Sequence, residues 1–357
     1  MKRYSTRLWG SLLLAFACIC SLPTTRANTT NAVIAAGGLM FTKNEAIVMQ
    51  REDLTLTPGK VIIRYEMLND TGAPVTLRVA FPMPEVPPIT FVGNLLRDAP
   101  LKDPNFLNFQ IFAVHAQSKE KISPELNVKA LLPDGRDVAI ELRRIGGWPL
   151  VLQPGIFDSD DRQSRIKAAS DSVPEAGHHV MTAKVKKELF ALNAIQEDKN
   201  IYMLPWRTTL TYHWMQTFAP GVTVLEQSYV PIKGVNFFSP SRSWTGKDWK
   251  DDKPARLEGI SLTDFCIDRS TEERLLTFTK DGYGGAGNLK YILTTAQNWR
   301  GPIGNFHLTI EGDQATGAIA LCTDLPLKKT GPMRYEAEVI NYVPNKELEV
   351  LFVFSKP

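Results

Sequence analysis

Along most of the chain, apolar and polar side chains alternate in short runs that end at Gly, Pro, Asn or Asp. A period of two over so few residues predicts half-buried antiparallel strands. The stretch from Asn288 to Cys322 carries the pattern three times. Leu289, Tyr291 and Leu293 come first; Phe306, Leu308 and Ile310 follow a break from Ala296 to Pro302; Gly317 to Cys322 extends again after Gly312 and Asp313. Earlier, Val61, Ile63, Tyr65 and Met67 share one parity with Arg64 and Glu66 opposite. After Asn69 to Pro74, Val75, Leu77, Val79 and Phe81 return on one parity. That reads as a hairpin with one buried side, ended by Pro82, Pro84, Pro87 and Pro88. A second hairpin is predicted from Leu126, Val128, Ala130 and Leu132, through Pro133 to Arg136, into Val138, Ile140 and Leu142.

The pattern changes at Gly146 to Pro149. Residues 158–199 gain Ala, Lys, Glu and Gln, and Met181, Val185, Leu189, Leu192 and Ile195 fall at helical spacing. A weaker helix is expected to start at Asp158 to Asp161. Strands resume at Trp206, where Leu210, Tyr212, Trp214 and Phe218 share one parity and Arg207, Thr209, Thr211, His213 and Thr217 the other. Val222 to Val230 is expected to pair back on them. The expected fold is mainly β: two antiparallel β-sandwich-like parts, residues 28–145 and 205–357, joined by a helical insertion at 146–204.

The first 27 residues stand apart. Lys2, Arg3 and Arg7 precede an apolar run from Leu8 to Leu22, and Pro23 to Ala27 ends in small residues. This is the layout of a cleaved secretory signal peptide, too short to span a bilayer. No transmembrane segment is expected in the mature chain. The whole sequence carries 41 basic and 38 acidic residues; losing Lys2, Arg3, Arg7 and Arg26 takes the basic count to 37 and the net charge from +3 to about −1. The basicity therefore belongs to the leader, and nothing electrostatic recommends a nucleic acid. Two cysteines remain, Cys266 and Cys322, and in a periplasmic or extracellular chain they are expected to form a disulfide.

Candidate chemistry is sparse. The glycines at 282, 284, 285 and 287 lack the Lys-Ser/Thr pair of a phosphate loop and read as a hairpin loop. Asp158, Asp160 and Asp161 lack the glycine and glutamate of a calcium loop. His115, His178, His179, His213 and His307 show no metal-ligand spacing, and no GxSxG is present. No catalytic residue, metal or cofactor is therefore assigned. Trp244 and Trp249, in a polar excursion, are the better candidates for a binding surface, with Trp299 as a further aromatic platform.

Several of these pieces together resemble a bacterial exported family, domain of unknown function 4424. They are Gly37 to Phe41 (GGLMF), Met49 to Leu54 (MQREDL), Val79 to Pro84 (VAFPMP), Tyr229 to Pro231 (YVP), Asp264 to Asp268 (DFCID) and Tyr291 to Ile303 (YILTTAQNWRGPI). The resemblance implies export from a bacterial cytoplasm and no particular reaction. The leading expectation is a non-enzymatic binding or accessory protein for an envelope protein or glycan. The alternative is a secreted hydrolase of polysaccharide or peptide, drawing carboxylates from Asp264, Asp268 or Asp281. A third possibility is strand exchange at a sheet edge.

Overall fold

The computed structural model describes residues 30–35, 38–86, 105–114, 118–152, 156–158, 182–198, 201–244, 249–257, 265–267, 271, 275 and 284–354. It is mainly β. The strands are β1 (Thr30–Ala35), β2 (Gly38–Thr42), β3 (Ile47–Leu56), β4 (Val61–Asn69), β5 (Val75–Pro82), β6 (Gln110–Val114), β7 (Lys119–Ile122) and β8 (Glu125–Leu131). Helix α1 (Ala139–Leu152) is followed by β9 (Ile156–Asp158), helix α2 (Ala183–Ala191), β10 (Gln196–Asp198) and β11 (Ile201–Met203). Then come β12 (Arg207–Phe218), β13 (Gly221–Tyr229), β14 (Lys233–Trp244), β15 (Trp249–Leu257), β16 (Gly284–Tyr291) and a 3-10 turn (Thr294–Asn298). The chain closes with β17 (Ile303–Glu311), β18 (Thr316–Leu321), β19 (Lys328–Gly331), β20 (Arg334–Tyr342) and β21 (Leu348–Phe354).

These strands build an eight-stranded sheet, β19-β20-β17-β3-β4-β13-β6-β7, and a five-stranded sheet, β2-β1-β5-β12-β8. A second five-stranded sheet runs β15-β14-β16-β21-β18, and a small one runs β10-β11-β9. Strands that follow one another in sequence often lie in different sheets. β4 pairs with β3 and β13, whereas β5 pairs with β1 and β12, so the hairpin expected at 61–81 does not form. β13 likewise pairs with β4 and β6 and not with β12. The alternation predicts the buried faces but not the pairing. Parity says which side chains are buried, and it is silent on which strand takes the hydrogen bonds. Strands from both expected parts share sheets: β12 lies between β5 and β8, and β3 pairs in parallel with β17.

One core cluster draws on three sheets, with Ile63, Tyr65 and Leu225 from the eight-stranded sheet, Phe81 and Trp214 from the first five-stranded sheet, and Tyr291 and Phe352 from the second. A second cluster packs α1 and α2 against Ala130 and Trp206. The predicted strand at 138–142 is instead the start of α1. Val138 and Leu142 are buried, but Ile140 is 83% exposed, because an i, i+4 spacing meets on a helix while the residue between points away. Asp137 Oδ1 starts that helix by accepting from Ala139 N–H at 3.1 Å. Gly147, at φ 70°, breaks it within the Gly-Gly-Trp-Pro run. α2 forms where the apolar stripe predicted it, capped by Thr182. Asp158 belongs to a strand and not to an early helix.

Cys266 and Cys322 are joined, with Cα atoms 4.9 Å apart across 56 residues. The bond holds Phe265 beside Leu275, Ala318, Ala320, Leu351 and Val353 in a third cluster. Closing a loop of that length is worth about 4 kcal/mol in the chain-entropy model.

A bulge in β3 sets the inward parity of the strand. Met49 pairs with Met67 and Arg51 with Glu66, leaving Gln50 as the extra residue. The Gln50 carbonyl oxygen is pushed toward β17, to 2.6 Å from where a Cβ on Gly304 would stand. Gly304→Ala is expected to cost about 1–3 kcal/mol by this overlap, read as a fall in the urea midpoint. Gly59→Ala, with nothing within 4 Å, should shift it less.

Candidate functional site

Two groups with chemical potential emerge, one inside and one on a sheet face. The inner group follows from the bulge. Ile47 and Met49 point inward, and by strict alternation Glu52 would point out. The extra residue turns it in, where it is 0% exposed. It faces Tyr65 across the β3–β4 ladder, and Tyr291 O–H from β16 donates to Glu52 Oε1 at 3.0 Å. The Tyr65 and Tyr291 hydroxyls are 3.3 Å apart. Since the Tyr291 proton goes to Glu52, Tyr65 donates to the Tyr291 oxygen. Burial first, then the nearby Glu52, pushes the Tyr291 hydroxyl well above the usual tyrosine range. Phe81 and Tyr229 pack against this group, with ring centroids 6.5 Å from Tyr291 and 5.6 Å from each other respectively. A buried carboxyl supplied with a donor is tolerated where an unsatisfied one is not. The arrangement ties the eight-stranded sheet to the second five-stranded sheet.

The outer group lies on the five-stranded sheet, on the face away from Leu210, Tyr212 and Trp214. On β12 this face carries Thr209, Thr211, His213, Met215 and Thr217. His213 stands in register with Ala80 on one side and Glu125 on the other, and is 6% exposed. An Arg78 guanidinium nitrogen lies 3.1 Å from His213 Nδ1. Arginine only donates, so Nδ1 accepts, the imidazole is neutral, and its proton sits on Nε2. Burial lowers the His213 pKa, the Arg78 charge lowers it further, and Glu125 opposes both. Around it are Thr211, Asn127 in register with Thr211, and Met215, which is 55% exposed. The face therefore offers hydroxyls, an amide and a thioether around a buried imidazole. The sequence placed His213 on a polar strand face; that it is buried and bonded to Arg78 depends on the β5–β12 pairing, which alternation does not reveal.

The solvent face of the eight-stranded sheet is a charge ladder. Arg51 and Asp53 (2.7 Å), Arg64 and Glu66 (2.6 Å), and His307 and Asp53 (3.5 Å) pair there. Such half-exposed pairs stabilise little and mainly keep the surface polar.

The sequence-derived candidates fare unevenly. Trp299 is 1% exposed and stands edge-on to Phe218 at 6.1 Å, so it is core and not a platform. Its neighbours fasten the fold: Arg300 N–H donates to Ile47 O, Asn44 N–H donates to Asn298 O, and Arg300 pairs with Asp70 at 2.6 Å. Trp244 and Trp249 are opposite one another where the β14–β15 ribbon ends. Gly284, Gly285 and Gly287 are strand residues of β16, not a loop; a Cβ on Gly287 would stand 3.3 Å from the Phe354 ring. Asp160, Asp161, His115, His178, His179, Asp264, Asp268, Asp281 and the leader lie outside the described residues. Among the described residues no group of three His, Cys, Asp or Glu is placed to hold a metal, and no helix is long and apolar enough to cross a membrane.

A mainly β chain with a closed acid–tyrosine core and a polar face built on Arg78 and His213 is the class these features define. Over residues 27–351 it matches the family described as Domain of unknown function (DUF4424), and it belongs to that family. No curated protein matches it. A crystal structure from Legionella pneumophila, of a protein provisionally described as nutrient binding, is similar at 11% identity and a TM-score of 0.37, covering 92% of this chain and 70% of that one.

His213 makes stability depend on pH. Its folded pKa lies below the unfolded value, so the unfolded chain binds the extra proton and stability falls as pH drops from about 6.5 through the folded pKa. Urea midpoints from pH 8 to 5 should show that fall in the native protein and a smaller one in His213→Gln. Arg78→Met should raise the His213 pKa in an NMR titration.

Proposed function

We propose that this is an exported, non-enzymatic binding or accessory protein that acts in the periplasm or outside the cell. The polar face around Arg78, His213, Thr211 and Asn127 is its contact surface for an envelope protein or glycan. The Arg78–His213 hydrogen bond carries the reading. With Nδ1 occupied and the proton on Nε2, the buried imidazole has no vacant lone pair to take a proton and serves to fix Arg78 on that face. The buried carboxyl of Glu52 is engaged by Tyr291 in the same way. The sandwich-like packing of the eight-stranded sheet on its two neighbours makes that face a rigid platform, and the disulfide suits an oxidising compartment. The alternative is a secreted hydrolase drawing carboxylates from Asp264, Asp268 or Asp281, which lie outside the described residues.

Affinity capture from periplasmic extract tests the proposal. The mature protein should enrich one envelope protein or glycan, and Thr211→Lys with Met215→Glu, both on the outer face, should abolish that enrichment with an unchanged circular dichroism spectrum. Equal capture by the variant would remove the face from consideration. Turnover of peptidoglycan or peptide by the purified protein would favour the hydrolase.

A further inference from the structure

β8 is an outer strand of the five-stranded sheet, and its free side is only partly used. Ala130 N–H donates to Asp137 Oδ1 at 3.0 Å, and Ala130 O accepts from Val138 N–H at 2.9 Å. Both Ala130 groups thus point away from β12. Backbone groups alternate in direction along a strand, so those of Val128 and Leu126 point the same way, while Glu125, Asn127 and Lys129 face β12. On the β12 side, Thr208 bonds Val86 and Leu210 O accepts from Met83 N–H, which fixes the same phase independently. Among the described residues, no strand lies beyond β8.

The sequence along this edge is Glu125-Leu126-Asn127-Val128-Lys129. Read antiparallel against itself about Asn127, it is self-complementary. Glu125 meets Lys129, Leu126 meets Val128, and Asn127 meets Asn127. Leu126 and Val128 are the two residues whose backbone groups face outward, so the register that pairs the charges also makes Leu126 and Val128 a hydrogen-bonded pair. Beyond them the edge of Ala130 is already taken by Asp137 and Val138, so the ladder ends at the two Leu126–Val128 pairs and the chain of the second copy turns away at Pro124, which has no N–H to orphan. Leu126 and Val128 pack against the main core, and the apolar layer would run on across the join. A shift of the pairing by two residues either way sets Asn127 against Glu125 or Lys129 and loses both charge pairs.

We propose that β8 pairs with β8 of a second copy of this chain about a two-fold axis, joining two five-stranded sheets into one ten-stranded sheet. The polar faces carrying Arg78 and His213 then lie side by side, presenting the contact surface twice. The pairing does not require the binding function proposed above. Two-fold self-association through a self-complementary edge is the commonest closed symmetry. Five residues of edge are short of a standard interface, so the dimer is a concentration-dependent one.

Charge exchange tests it. In sedimentation equilibrium, the native mature protein should move from monomer toward dimer mass as concentration rises. Lys129→Glu alone and Glu125→Lys alone should each abolish the shift by setting like charges opposite one another, and the double variant should restore it. Asn127→Cys should form an intermolecular disulfide under mild oxidation, because a non-hydrogen-bonded antiparallel pair brings Cα atoms to about 4.5 Å. Monomer mass at all concentrations with no cross-link through Cys at 127 would overturn the proposal. So would a dimer indifferent to both charge reversals.

Discussion

The close approach of β3 to β17 governs much of this molecule. Gln50 bulges out of β3, and its carbonyl oxygen occupies the space that any side chain at 304 would need. That fit lets a strand from near the N-terminus lie in parallel beside one from near the C-terminus, with Asp53 against His307 and Leu54 against Leu308. The same bulge shifts the inward parity from Ile47 and Met49 to Glu52, Leu54 and Leu56. Without it, a strand that kept Ile47 and Met49 inward would turn Glu52, Leu54 and Leu56 out together. One extra residue thus decides both how the halves of the chain join and that a carboxyl sits in the core.

The inward carboxyl is the cost of that geometry, and the tyrosines offset it. Tyr291 reaches Glu52 from another sheet, and Tyr65 completes the chain of donors. Removing one partner from such a group leaves the other buried and unsatisfied, typically a loss of about 1–3 kcal/mol. The cluster therefore specifies the relative position of two sheets more sharply than aliphatic packing alone.

What could be read from the sequence was local. Period-two alternation located most strands, and the 181–195 stripe located α2, because both follow from which side chains avoid water. Pairing was hidden, since β4, β5, β12 and β13 carry nothing in their own residues that names a partner. Val138 and Leu142 satisfy strand and helix spacing alike, and only Asp137 as a cap separates the two. The Asn298 to Pro302 motif was distinctive for a structural reason: Trp299 fills the core, and Arg300 binds both Ile47 and Asp70. The Arg78–His213 contact, 135 residues apart in sequence, becomes visible only once β5 and β12 are side by side.

The edges of the sheets show how far the surface is shaped by the same logic. β7 carries Lys119 and Lys121, β19 carries Lys328 and Lys329 just after Pro326, and β15 carries Lys250, Lys253 and Pro254. Lysine and proline at an outer strand discourage pairing with another chain. β18, whose residues are mostly apolar, is followed directly by Cys322, which is bonded to Cys266, and its Ala318 and Ala320 pack in one cluster with Phe265 and Leu275. β8 is treated differently. Its one lysine is matched by a glutamate four residues before it, and Asp137 and Val138 close only the Ala130 end. A sheet edge bearing opposite charges at its two ends repels a copy of itself in parallel and attracts it in antiparallel, so the β8 edge is selective where β7, β15 and β19 are guarded by lysine.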